Sequence, residues 1–239
     1  RDRLGRCPTK VKPQRLPLNG IPANTSDPMM NNIRLLIITL LLAVPALAQD
    51  PPAWRQKLSR LLQADFPYTK AAIRASFPKN NVANKGMAII VGREAFMCFD
   101  TDLLRWSAGW TGNYITDEGV SFRGNHGASP RVAGDQKFGV SAIPGWADAR
   151  GSFDDPRSEP FGPIPKEHAQ WRGCYVADDK VLLHYTVRDI QFLEQPGAVE
   201  KDGQTLFVRS IQHDALTADL ALLICNLPDA NAFIENGTA

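Results

Sequence analysis

The sequence predicts a mainly β fold, an antiparallel sandwich-like domain with a short N-terminal helix. Three observations carry this: short runs of alternating apolar residues recur from Gly86 onward, turn residues separate them, and helical periodicity is confined to a stretch ending at Phe77. A part of a β-propeller is the alternative arrangement of the same strands.

Residues 1–28 are basic, rich in Pro and Asn, and lack hydrophobic periodicity, so they are set aside as upstream translation. Residues 29–48 have the three parts of a secretory signal peptide: Met29 to Arg34 as the positive start, Leu35 to Val44 as the apolar run, and Ala46-Leu47-Ala48 as the cleavage site. The apolar run falls short of the roughly 20 residues a bilayer needs, and Pro45 closes it. No cysteine follows the cleavage site, which argues against a lipid anchor. The expected location is therefore periplasmic or extracellular, with no membrane span after cleavage. Residues 49–84 form a helical lead-in, because Trp54, Leu58, Leu61 and Leu62 share one helical face and Pro51-Pro52 suits a helix start.

Residues 85–239 are the β-rich part. Gly86 to Val91 and Glu94 to Phe99 flank Gly92-Arg93 as a two-residue hairpin, and Leu103 to Trp110 follows as a third strand. A long polar, turn-rich region then runs to Pro165, with a short strand at Gly119 to Phe122. Gly173 to Ala177 and Lys180 to Arg188 alternate around Asp178-Asp179, and Ile190 to Glu194 continues that sheet. Lys201-Asp202-Gly203 turns into Thr205 to Ile211, and Leu220 to Cys225 reads as one more buried strand. Without a closing element after it, the chain is expected to be cut short at its C-terminus.

The net charge is +2, but the first 48 residues hold seven of the 27 basic and two of the 25 acidic residues. The remainder is net −3, which removes the case for nucleic acid or an anionic membrane as partner. Beyond the leader stand Cys98, Cys174 and Cys225, an odd number without a C-x-x-C or C-x-x-C-H pattern. Buried free thiols are expected, with Cys98 and Cys174 the pair to test for a disulfide.

Candidate ligand-binding residues concentrate between Asp100 and Arg157. Asp100 and Asp102, directly after a strand, have the spacing of an acid/base or cation-holding pair, or of an ordinary strand-to-turn junction. Trp106 and Trp110 share strand parity, so an unbroken strand presents both on one face, as a stacking platform or as core. Trp146, in a Gly-Trp-Ala-Asp loop, is the tryptophan expected at the surface. His126 has the most polar setting of the four histidines, Arg131 lies in the same region, and Asp154 with Arg157 occupies an Asp-Asp-Pro-Arg turn. No metal site is expected, since His168, His184 and His213 are scattered. No nucleophile elbow, dinucleotide fingerprint or phosphate loop is present, so no catalytic residue is assigned and no cofactor is expected in this chain.

The succession KGMAIIVGREAFMCFDTDLLRWSAGWTGNYI, RGNHGASPRVAGDQKFG, PGWADARGSFDDPR, FGPIPKEHAQWRGCYVADDKVLLHYTV and IQFLEQPG, from Lys85 to Gly197, resembles the uncharacterised N-terminal domain of large exported planctomycete-type proteins. The resemblance implies a domain of unknown function followed by a dehydrogenase-like propeller and a haem-c domain, with haem c in a downstream domain rather than here. Its implied partners are downstream domains of the same polypeptide. The expected function is a non-catalytic binding or docking module of an exported multidomain redox protein. A carbohydrate-binding or carbohydrate-active β-domain, with a glycan or small-molecule ligand, is the alternative.

Overall fold

The described residues form nine antiparallel strands, most of them from the runs of alternating apolar residues. The computed structural model describes Leu58, residues 66–118 and residues 129–227. Strands β1 (Tyr68–Arg74), β2 (Val82–Gly92), β3 (Ala95–Asp100), β4 (Arg105–Thr111) and β5 (Asp135–Gly139) form one sheet in sequence order. Strands β6 (Ala169–Ala177), β7 (Lys180–Val187), β8 (Ile190–Lys201) and β9 (Gln204–His213) form the second, also in sequence order. Neighbours in each sheet pair antiparallel and neither sheet closes on itself. Asp202 and Gly203 both take positive φ, 52° and 73°, which gives the β8–β9 turn the twist that antiparallel strands need.

The pleat sorts side chains into two cores. Met87, Ile89, Met97, Phe99 and Trp106 face the second sheet and pack with Val181, Leu183, Tyr185, Ile190 and Phe192. Ala88, Ile90, Phe96, Cys98, Ala108 and Trp110 face the other way and are closed over by Tyr114, Ile115 and Val132, with Leu58 packed alongside. Strand β3 is thus buried along its whole length, which explains its near-continuous apolar sequence Ala-Phe-Met-Cys-Phe. Burying one such large side chain is worth about 1.5–3 kcal/mol.

Several expectations are corrected. Tyr68–Arg74 is a strand, and no helix occurs among the described residues. Tyr68, Thr69 and Ile73 are buried there while Lys70 and Arg74 are exposed, a half-buried edge-strand pattern. Trp54, Leu61 and Leu62 of the helical lead-in, the signal peptide and the strand expected at 119–122 lie outside the described residues. The β2–β3 turn sits at Arg93-Glu94, one residue later than read. Strand β5 was not anticipated, because Asp-Gln-Lys-Phe-Gly is mostly polar and is recruited by pairing with β4.

Strand β8 runs seven residues past Glu194 and through Pro196. The β7–β8 ladder ends at Leu183 opposite Glu194, so beyond it β8 has a free side that tolerates a residue without an N–H. Leu220 to Cys225 is not a buried strand but a half-exposed clamp. Ala147 N–H donates to Ala221 O, Leu223 N–H to Gly145 O and Asn226 N–H to Gly139 O, each at 2.8–2.9 Å. Gly145 N–H in turn donates 2.9 Å to Leu103 O, so the loop before Trp146 lies directly on the β3–β4 turn.

That close approach has a consequence at one glycine. A Cβ at Gly145 would overlap the Leu104 carbonyl oxygen, and backbone there cannot move aside as a side-chain end can. Gly145→Ala is expected to cost roughly 1–3 kcal/mol in urea unfolding. Gly197→Ala, where nothing lies within 4 Å, is expected to change stability by less than about 0.5 kcal/mol. Equal effects at the two positions would refute this close approach.

Candidate functional site

Asp100 and Asp102 begin at the end of β3, where the chain turns into β4. Asp100 is buried and paired with Arg105, whose Nη2 lies 3.1 Å from Asp100 Oδ2. Arg105 also donates through Nη1 to Asn81 Oδ1 at 2.7 Å and to Val140 O, and through Nη2 to Val82 O at 2.9 Å. Burial raises the Asp100 carboxyl above the usual carboxylate range against the pull of Arg105, and it lowers the Arg105 guanidinium. Asp100 Oδ1 further accepts the Asp102 N–H at 3.2 Å. Every part of this group ties one turn to its neighbours, the strand-to-turn role rather than an open acid/base pair. Burial, and then the Asp100 charge, raise the Asp102 carboxyl, whose Oδ2 is buried without a hydrogen-bond partner.

The tryptophans part company. Asp100 pairs with Arg105 and Phe99 with Trp106, but Cys98 pairs with Ala108, leaving Ser107 as a β-bulge. The bulge reverses parity, so Trp106 enters the core between the sheets and Trp110 the core on the far side of the first sheet. Both are fully buried, and they form no shared platform. Trp146 is also buried, at 5%, with its ring 4.7 Å from Phe192; its indole N–H lies against the Tyr185 hydroxyl without reaching hydrogen-bond geometry. A loop position in sequence did not make it a surface residue, because the 221–226 clamp holds the loop inward.

Trp106 leads to a group that was not anticipated. Its Nε1–H donates 2.6 Å to Oε1 of Glu194, a carboxylate with no solvent exposure. Tyr185 Oη donates 2.6 Å to Oε2, while Arg209 donates through Nε to Oε1 and through Nη2 to Oε2 at 3.1 Å. Burial, then the Glu194 charge, push the Tyr185 hydroxyl above its usual range, so it stays protonated and donates. A signal existed: Ile190, Phe192 and Glu194 share parity, as do Phe207, Arg209 and Ile211, which places a carboxylate and a guanidinium on the inward faces.

The remaining candidates lie in turns or outside the described residues. Asp154 is exposed and accepts from Ser152 Oγ at 2.7 Å. Arg157 grips Asp155 through Nε and Nη2 at 2.9 and 2.8 Å and donates to Gly162 O at 2.7 Å, a self-contained turn. Arg131 pairs with Glu118 at 3.0 Å on the surface. His126 lies outside the described residues. Among the described residues no group of three His, Cys, Asp or Glu is placed to hold a metal. The three cysteines described are free, and Cys98 and Cys174 pack into different cores, so they do not pair.

What the fold does leave open is a cleft where β1 and β2 meet β6. Its lining includes Lys70, Asn84, Lys85, Thr101 and Trp171, and its volume is about 400 Å³. Thr101 Oγ1 donates to Lys85 O at 3.1 Å, fixing the rim, and Trp171 backs onto Phe99 with ring centroids 5.7 Å apart. Lys70 Nζ sits 5.5 Å from the Tyr68 ring centroid. Among the described residues neither lysine forms a salt bridge, and the Lys85 charge acts on the Asp102 carboxyl, drawing it down. No sequence pattern marks this cleft, because it depends on which strands end up at the sheet edges.

Removing Glu194 strands the Arg209 charge. Glu194→Ala is expected to cost about 3–5 kcal/mol in urea unfolding, whereas Glu194→Met with Arg209→Met loses far less. A loss below about 1 kcal/mol for Glu194→Ala would overturn this account. Cysteine alkylation offers a second check. Burial pushes the Cys98 thiol up to about 12, so mass-mapped iodoacetamide is expected to modify half-buried Cys174 and Cys225 in the native protein and Cys98 after denaturation. Native modification of Cys98 at a matching rate would contradict the burial.

No curated protein and no solved structure matches the chain. Residues 97–194, from β3 into β8, match the model of a family described as Domain of unknown function (DUF6797), a stretch that begins three residues before Asp100 and ends at Glu194.

Proposed function

We propose that residues 66–227 form a sandwich-like, non-catalytic recognition module of an exported multidomain protein, with the β1–β2–β6 cleft as its ligand site. One contrast carries this. The interior carboxylates Asp100 and Glu194 are matched to Arg105 and Arg209, and the loop carboxylates Asp148 and Asp155 to Arg150 and Arg157, while among the described residues Lys70 and Lys85 at the cleft form no salt bridge and only the Lys85 charge acts on a carboxyl, that of Asp102. Carboxylates held this way are structural and poorly placed to move protons. Two ammonium groups outside any salt bridge beside a tryptophan suit an anionic ligand with a flat face. Shared packing of the two sheets on one core supports the sandwich over propeller blades. Export rests on the leader pattern, and the multidomain setting on the resemblance from Lys85 to Gly197.

The test uses dextran sulfate as the anionic probe and dextran as the neutral one. The protein is expected to bind the first by calorimetry, with affinity falling as salt rises. Lys70→Ala with Lys85→Ala is expected to weaken binding roughly tenfold or more, since a hydrogen bond to a charged group is worth about 1.5–3 kcal/mol. Undiminished binding by the double variant, or none by the wild type, would reject the cleft as the site.

A further inference from the structure

The outer face of the second sheet carries a second groove of different chemistry. Phe99 and the core behind it hold Trp171 inward, yet Tyr175, four residues on, is 59% exposed on the opposite face. The reason is a bulge at Arg172: Trp171 pairs with Tyr185 and Gly173 with His184, which reverses the parity of β6. Gly173, at φ 145°, takes a backbone conformation that other residues rarely adopt.

Tyr175 lines a groove of about 280 Å³ together with His184, Gln191, Leu193, Gln212, His213 and Asp214. Pairing places Gly173, His184, Leu193 and Gln212 in one row across all four strands. The Tyr175 ring stacks beside His184 at 6.2 Å and 24°. His184 Nε2 lies 2.8 Å from Gln191 Oε1; with Nε2 donating, Nδ1 is left as an acceptor. Leu193 supplies an apolar floor. His213 Nδ1 bonds the Asp214 carbonyl at 2.7 Å, which holds that imidazole at the wall.

We propose that this groove binds a neutral saccharide, one or two pyranose rings of a longer chain. The exposed aromatic face offers an apolar plane for a ring's C–H surface, and planar amides and imidazoles supply both donors and acceptors for hydroxyls. No lysine or arginine lines it, so an anion finds no counter-charge, unlike in the edge cleft. Its volume is below the range of about 300–1,000 Å³ common for drug-sized ligands, which suits a short segment of polymer crossing an open face.

Affinity electrophoresis in gels containing β-glucan, xylan, mannan or starch tests the groove. The wild-type protein is expected to be retarded by at least one of these. Tyr175→Ala is expected to weaken that retention roughly tenfold, the usual scale for truncating an aromatic anchor, and Gln212→Ala to weaken it as well. Tyr175→Phe is expected to retain it, because the ring plane is kept. Lys70→Ala with Lys85→Ala is expected to leave it unchanged, so failure of the edge cleft and failure of this groove are read separately. Unfolding curves check that Tyr175→Ala still folds, as its exposure predicts. No retardation in any gel, or retention undiminished in Tyr175→Ala, overturns the proposal.

Discussion

The Glu194 carboxylate, buried between the two sheets, is the constraint around which the rest is arranged. Its hydrogen-bond donors come from Trp106 on β4 and from Tyr185 and Arg209 on β7 and β9. An apolar interface is driven by area and is indifferent to a small slide of one sheet over the other, whereas hydrogen bonds to a fixed acceptor are directional. Slip of either sheet removes the Trp106 bond and leaves a buried acceptor short of a donor. The penalty for such an orphan, about 1–3 kcal/mol and more for a charged group, is a large share of a domain's net stability. The ion pair thus contributes alignment more than raw stability, since a well-packed apolar replacement of both partners can be as stable.

That alignment requires Trp106 to point inward, and the Ser107 bulge lets it do so without bringing Trp110 with it. The bulge is held by its own bonds. Ser107 Oγ donates to Cys98 O at 3.1 Å, and Ser107 O accepts from Asn81 Nδ2 at 2.7 Å. Asn81 also receives Arg105, the partner of Asp100, so the aspartate at the end of β3 supports the parity change two residues beyond its own partner. The second sheet uses the same device at Arg172, where an inward Trp171 is followed by an outward Tyr175. One sheet uses the reversal to fill a second core; the other uses it to place an aromatic ring in solvent.

The two bulges mark where the sequence stopped being legible. Alternation and turn residues located β2, β3, β4, β6, β7, the start of β8 and β9, because those strands carry their own period-2 pattern. A one-residue insertion leaves no compositional trace, so Trp106 and Trp110 read as a pair on one face. Strand β1 follows a helical pattern of which only Leu58 lies in the described part, and β5 is polar enough that pairing decides its state. The candidate site was less legible than the fold. Asp100, Asp102, Asp154 and Arg157 stand out as chemistry-bearing residue types, yet whether Asp100 or Glu194 is open or locked depends on an arginine five or fifteen residues away. Glu194 and Arg209 could have been found from parity within their strands. Lys70, Lys85 and Trp171 could not, since three separate segments converge only after both sheets have formed.

Burial is distributed unequally between the sheets, and this decides where recognition is possible. The first sheet is covered on both faces, so its exposed chemistry lies at its edges, with Lys70 and Lys85 emerging beside β1 and the Asp135–Lys137 pair on β5. The second sheet buries one face and leaves the other in water, where Tyr175, Val199, Leu206 and Val208 are 59%, 51%, 41% and 37% exposed. Exposing large apolar side chains has no stabilising value for the fold, and clustered apolar surface on a soluble domain commonly marks a contact site. Tyr175 differs from the three aliphatics because imidazole and amide groups surround it, giving a ligand direction as well as area. The fold locks Asp100, Asp155 and Glu194 onto arginines and presents lysines outside any salt bridge at an edge and an aromatic groove without lysine or arginine on a face, two surfaces that differ in the charge of what they can hold.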